Sequence, residues 1–220
     1  MRRAMRMLPN TRPEGEVRSR VFARRAKLAA TLGLLTMAAW SVGSTIAPAA
    51  TAPETQAATD PKGDVRSPLD LTRVAVSRAA DGRLRASLTA AAAWTGSDLL
   101  SDTGTGGPGS VCLKAWTTTV PPDTTPDYLI CTTANADGAL RGSILKQRAN
   151  KLPERTGGAD VSRPSTRTVT LRFSQTAIGK PATLYVAGET VRPGCPRGSC
   201  IDLAPDAPKT LKLVLRKATT

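Results

Sequence analysis

The sequence predicts an all-β fold, an antiparallel β-sandwich of about eight short strands stapled by two disulfides. Apolar residues alternate with period two in short runs, turn residues separate those runs, and all four cysteines lie in the part of the chain that carries them. No long helical periodicity competes with this pattern.

The predicted strands are Leu69 to Val76, Leu84 to Trp94, Val111 to Trp116, Tyr128 to Thr132, Leu140 to Leu145, Val169 to Phe173, Leu184 to Val191 and Leu211 to Leu215. Alternation is clearest in Thr168 to Phe173 and Leu211 to Leu215, where every second residue is a sizeable apolar one. Turns are expected at Ala80-Asp81-Gly82, Gly104 to Gly109, Ala136-Asp137-Gly138, Gly157-Gly158 and Gly179-Lys180-Pro181. Ser174 to Ile178 suits one helical turn, and Gln147 to Pro164 reads as the longest irregular connection.

Residues 1 to 57 read as an export signal. Basic residues, Arg2 to Lys27, precede the uncharged run Leu28 to Ile46, and Ala- and Pro-rich residues follow. Thr55-Gln56-Ala57 is the preferred cleavage motif, with a mature domain of residues 58 to 220; Ala50-Thr51-Ala52 is the other candidate, although Pro53 would follow the cut. The apolar run has 19 residues, so an uncleaved segment anchoring the chain in the membrane is the alternative. Either way the expected location is secreted or cell-surface.

The signal carries nine of the 31 basic and three of the 17 acidic residues, which leaves 22 basic and 14 acidic in the mature part, a net charge of +8. These charges are scattered over polar strand positions and turns (Arg73, Arg85, Arg167, Arg172, Lys212) without interleaved aromatics, a pattern of solvated sheet faces and not of a nucleic-acid groove.

Cys112, Cys131, Cys195 and Cys200 are an even count in an exported chain and read as two disulfides. The strands at 111 and 128, joined through the turn Val120-Pro121-Pro122-Asp123, would pair Cys112 with Cys131, and the short loop Cys195 to Cys200 would close on itself. A four-cysteine zinc site is the rival, but paired Cys-x-x-Cys spacings are missing.

Asp60-Pro61-Lys62-Gly63-Asp64, followed by Leu69-Asp70-Leu71 with Val74 and Val76, then Asp81-Gly82 and Leu84, resembles the opening of uncharacterised β-sandwich domains in exported actinobacterial proteins. It is loosely similar to the DOMON and family 9 carbohydrate-binding sandwiches. The resemblance covers about the first 35 mature residues and implies a sandwich that binds rather than reacts. It transfers no binding residue.

The chain has no histidine, which excludes Ser-His-Asp and Cys-His catalysis, His-ligated zinc and His-ligated haem. Asp102-Thr103-Gly104 matches the catalytic turn of aspartic proteases, but no second such motif supplies the partner carboxyl. Asp123, Asp127, Glu154, Glu189, Asp202 and Asp206 fall in or beside turns, where Asp is expected for structural reasons. Gly104 to Gly109 lacks the Gly-Lys-Ser/Thr ending of a phosphate loop.

Two constellations carry ligand chemistry. Asp60, Asp64 and Asp70 would set carboxylate oxygens around a calcium ion, with Gly63 permitting a tight backbone, although Asp at turns accounts for them without metal. Trp94 and Trp116 would form a stacking surface for a sugar ring if both were exposed on one face, and core burial is the competing reading. The function expected is therefore an exported, non-catalytic binding or structural module engaging a cell-envelope or extracellular ligand, with carbohydrate one candidate ligand class. A carboxylate-only extracellular hydrolase is the alternative.

Overall fold

Val74 and Val76 in one run, Leu84, Ala86 and Leu88 in the next, and Val169, Leu171 and Phe173 in a third are buried, while the residues between them are at least partly solvated along most of each run. This alternation is the reason these segments are strands, since successive side chains point to opposite faces. The computed structural model describes residues 54–65, 67–100, 107–118, 125–193 and 201–215.

The described residues form twelve strands: β1 Thr55–Thr59, β2 Leu71–Arg78, β3 Leu84–Ala90, β4 Ser110–Trp116, β5 Tyr128–Ala134, β6 Leu140–Arg148, β7 Lys151–Gly157, β8 Asp160–Ser162, β9 Thr168–Phe173, β10 Thr183–Val191, β11 Ile201–Ala204 and β12 Leu211–Val214. The only helical elements among these residues are two 3-10 turns, Gly96–Leu99 and Gln175–Ile178.

All pairings are antiparallel. One sheet has the order β1-β2-β3-β9-β8, and the other runs β11-β10-β4-β5-β6-β7. β12 also joins the second sheet, pairing with the first half of β10 while β11 pairs with its second half. A single apolar cluster gathers residues of both sheets, Val74, Leu88 and Leu171 from one and Leu113, Ile130, Ile144 and Leu184 from the other. The result is an all-β, sandwich-like arrangement.

Gly188 of β10 shows how closely the two layers approach: a Cβ there would lie 3.0 Å from a Leu88 methyl and 3.1 Å from a Leu71 methyl. At the turns, Gly82, Gly138 and Gly179 have φ of +77°, +78° and +82°, the left-handed region that glycine enters without steric cost.

Cys112 stands opposite Cys131 in the β4–β5 ladder, and the two are bonded. The pairing predicted from strand adjacency is therefore present. Cys195, Cys200, the turn at Val120 to Asp123 and Asp102-Thr103-Gly104 lie outside the described residues.

The eight predicted strands are all found, with four more. The stretch from Gln147 to Pro164 is not an irregular connection, because it holds most of a β6–β7 hairpin and β8. β7 is solvated almost throughout, so it has no buried face to impose alternation. The run predicted to Trp94 stops being strand at Ala90.

β1 includes residues on both sides of the preferred cleavage point. Thr55, Gln56 and Ala57 pair with Ser77, Val76 and Ala75, and Glu54 lies 3.4 Å from Arg78. Cleavage after Ala57 would remove three of the five residues of this strand.

Candidate metal centre

Asp60, Asp64 and Asp202 each bring a carboxylate oxygen within 4.8 Å of the other two. They come from opposite ends of the described chain: Asp60 follows β1, Asp64 lies in the turn after it, and Asp202 is the second residue of β11. Asp70, the residue before β2, adjoins this trio and raises the proton affinity of both Asp60 and Asp202 through its charge.

The backbone explains why these residues meet. Asp60 starts from the end of β1, where its N–H donates to the Thr72 carbonyl at 2.9 Å. The turn that follows contains Gly63, whose φ of +92° folds the chain back so that its N–H donates to Asp70 Oδ2 at 2.8 Å. The Asp70 carbonyl accepts from the Ala91 N–H at 2.6 Å, and the Thr190 hydroxyl donates to the Leu69 carbonyl at 2.8 Å. On the other side, the Asp206 N–H donates to Asp60 Oδ1 at 2.9 Å, and the buried Leu71 N–H donates to Asp202 Oδ2.

β11 presents Asp202 inward because its alternation is inverted relative to hydrophobicity. Ile201 is 44 % exposed, whereas Asp202 is 3 % exposed and Ala204 is fully buried. Asp70 is also only 3 % exposed. Burying two carboxylates in one place is costly unless each is hydrogen-bonded or paired with a cation. Here the satisfaction is incomplete: Asp70 Oδ1 and Asp60 Oδ2 are buried and accept no hydrogen bond.

The proton affinities follow. Burial pushes the Asp202 carboxyl up to about 6, against the Leu71 N–H, with the charges of Asp64, Asp60 and Asp70 adding to the rise. Burial likewise raises Asp60, with Asp206, Asp64 and Asp70 contributing, and the Asp206 N–H opposing. Asp70 is raised by burial and by Asp64, while the Gly63 N–H and the Lys62 charge act the other way. The common cause is burial, the largest contributor at all three, and the neighbouring carboxylate charges add to it.

Of the predicted trio, Asp60 and Asp64 are placed together and Asp70 stands beside them as part of the buried floor. Asp202, grouped in the sequence with turn carboxylates, is the member that sequence reasoning missed. No local signal marks it, because the apolar neighbours Ile201 and Leu203 put Asp202 at the phase that alternation assigns to solvent, the reverse of its burial here.

Three of the turn carboxylates, Asp127, Glu189 and Glu154, have structural partners, and Asp123 lies outside the described residues. Asp127 accepts from the backbone N–H groups of Thr117 and Thr118 and from both hydroxyls. Glu189 lies 3.2 Å from Lys114 across β10 and β4, and Glu154 lies 3.4 Å from Arg148 in the β6–β7 hairpin.

Trp94 and Trp116 are core residues. They are 3 % and 4 % exposed, so they do not form a stacking surface for a sugar ring. The Trp94 indole N–H donates to the Arg167 carbonyl at 3.3 Å, and the Arg163 guanidinium covers its ring at 4.1 Å. A large ring buries more area inside than it would at an edge, which is the physical reason the core reading wins.

No family model, curated protein or solved structure matches this chain.

Proposed function

We propose that this is an exported, non-catalytic β-sandwich module that works at the cell exterior by engaging a cell-envelope or extracellular ligand. The observation that carries the reading is the acidic centre, the one place among the described residues where several carboxylates converge. Backbone N–H groups of Gly63 and Leu71 hold its Asp70 and Asp202 acceptors in place, which suits the capture of a ligand. Export is supported by the layout of residues 1 to 57 and by the Cys112–Cys131 bond, a linkage that persists in oxidising compartments.

The carboxylate-only hydrolase has one observation in its favour, the Asp202 carboxyl at about 6 beside other carboxylates, as a general acid requires. Access weighs against it: Asp202 is buried with an oxygen tied to the Leu71 N–H.

The test is co-sedimentation of the secreted protein with isolated cell-wall sacculi and with insoluble polysaccharides, alongside assays for glycoside and peptide hydrolysis. Retention without turnover is expected. Turnover that disappears in Asp202→Asn would establish the enzyme instead.

A further inference from the structure

We infer that Asp60, Asp64, Asp70 and Asp202 form a calcium-binding centre that fastens the N-terminal segment of the domain to β11. The inference rests on the binding-module reading and names a ligand for its acidic centre.

Three observations carry it. The first is convergence: oxygens of Asp60, Asp64 and Asp202 within 4.8 Å fit one coordination sphere, because calcium holds oxygens at about 2.3–2.6 Å and opposite ligands then stand about 4.6–5.2 Å apart. The second is independent of the count of acidic groups. Asp70 is only 3 % exposed with Oδ1 unpartnered, and Asp60 Oδ2 is buried without a partner beside it. A buried carboxylate oxygen without a donor is destabilising, and a cation is the ligand that satisfies several at once. The third is charge. Three carboxylates converge, the charge of Asp70 acts on Asp60 and Asp202, and Asp206 adds to the repulsion at Asp60, while Lys62 offsets it at Asp70.

The donor chemistry selects the ion. The centre supplies carboxylate oxygens with no imidazole and no thiolate, which favours a hard cation over zinc or copper. Between the hard divalent ions, magnesium keeps most of its waters and typically takes one or two carboxylates, whereas calcium takes six to eight oxygens in loose geometry. Three convergent carboxylates with a fourth adjoining, and solvent access through the exposed Asp64, match the second description.

The consequence is mechanical. Asp60 and Asp64 lie between β1 and β2, and Asp202 lies in β11 of the other sheet. One ion shared by them links the two sheets at the N-terminal end of the domain. Without it, repulsion among these groups acts to open the turn that contains Lys62 and Gly63.

The secreted protein, stripped with a chelator, is titrated with calcium and with magnesium by calorimetry and thermal melting. Expected are one calcium per chain, a rise of about 5–10 °C in Tm at a hundredfold excess over Kd, and a smaller response to magnesium. Asp202→Asn keeps an oxygen for the Leu71 N–H and should fold while losing the calcium response; Glu154→Gln, remote on β7, should keep it. In the unmutated protein calcium should also slow tryptic cleavage after Lys62. No heat and no Tm shift at millimolar calcium, or a full response retained in Asp202→Asn, overturns the inference. If the stripped protein ignores calcium yet still sediments with sacculi, the metal centre is wrong and the module reading stands. If calcium binds but no envelope polymer retains the protein, the module reading is wrong and the metal centre stands.

Discussion

Leu71 and Asp202, 131 positions apart in the chain, are joined by a buried hydrogen bond in which the Leu71 N–H donates to the Asp202 carboxylate. This contact ties the start of β2 to β11, one strand in each sheet, and it places the carboxylate at the floor of the acidic centre.

Asp202→Ala removes the acceptor and leaves the Leu71 N–H buried without a partner. In chelator at neutral pH it should lower the unfolding free energy by about 1–3 kcal/mol. Asp202→Asn should cost less, because the amide oxygen still accepts and one charge leaves a repulsive cluster. Denaturant titration of both variants checks this; equal losses would mean that the bond contributes nothing.

The Cys112–Cys131 bond closes a segment of separation 19 between neighbouring strands of the second sheet. In the chain-entropy model a loop of that size is worth about 3 kcal/mol. Val111, Leu113 and Ile130 beside it are all buried, so its loss also loosens the core. Cys112→Ala with Cys131→Ala should therefore lower Tm clearly more than Cys195→Ala with Cys200→Ala, whose sulfurs would enclose only a few residues. Peptide mapping that links Cys112 to Cys195 or Cys200 would refute the pairing.

Mass spectrometry of secreted protein should show a chain that begins at or before Pro53, not at Ala58. The reason is the pairing of Thr55, Gln56 and Ala57 with β2 and the proximity of Glu54 to Arg78. A mature terminus at Ala58 would mean that β1 is dispensable.

Asp127 gives the domain a pH dependence of defined sign. Burial raises its carboxyl, and the hydrogen bonds from Thr117 and Thr118 together outweigh burial, so it is held below its ordinary 3.8. A folded value below the unfolded one means that the stabilisation is complete above about pH 4 and is lost as pH falls through the folded value. Asp127→Asn should be less stable than the unmutated protein by about 1 kcal/mol at pH 7, and the gap should close in stronger acid. A gap that persists unchanged at about pH 2 would show that the carboxylate charge is immaterial.

Strands with a buried face were readable from sequence, because burial imposes the alternation that reveals them: Leu84, Ala86, Leu88 and Ala90 in β3 are the plainest case. Strands held by backbone pairing at a sheet edge were not. β1 is composed of Thr, Gln and Ala and is nearly all exposed, so its residues looked like the tail of a signal. The acidic centre was half readable for a related reason. Asp60, Asp64 and Asp70 lie within one short stretch, but Asp202 joins them through β10 and β11 pairing that no local pattern announces.

β7 ends its sheet among the described residues, and Lys151, Leu152, Pro153, Glu154 and Arg155 are all exposed along it. Pro153 sits in the register irregularity between the pairs Lys146 with Glu154 and Arg148 with Lys151. A bare strand edge is a template on which another molecule can add a strand, and apolar Leu152, 83 % exposed, would reward such growth. An imino acid without an N–H interrupts that template, and charges on either side repel a stacked copy of themselves. The interrupted, charged edge of β7 therefore disfavours strand addition at the end of the sheet opposite to β11.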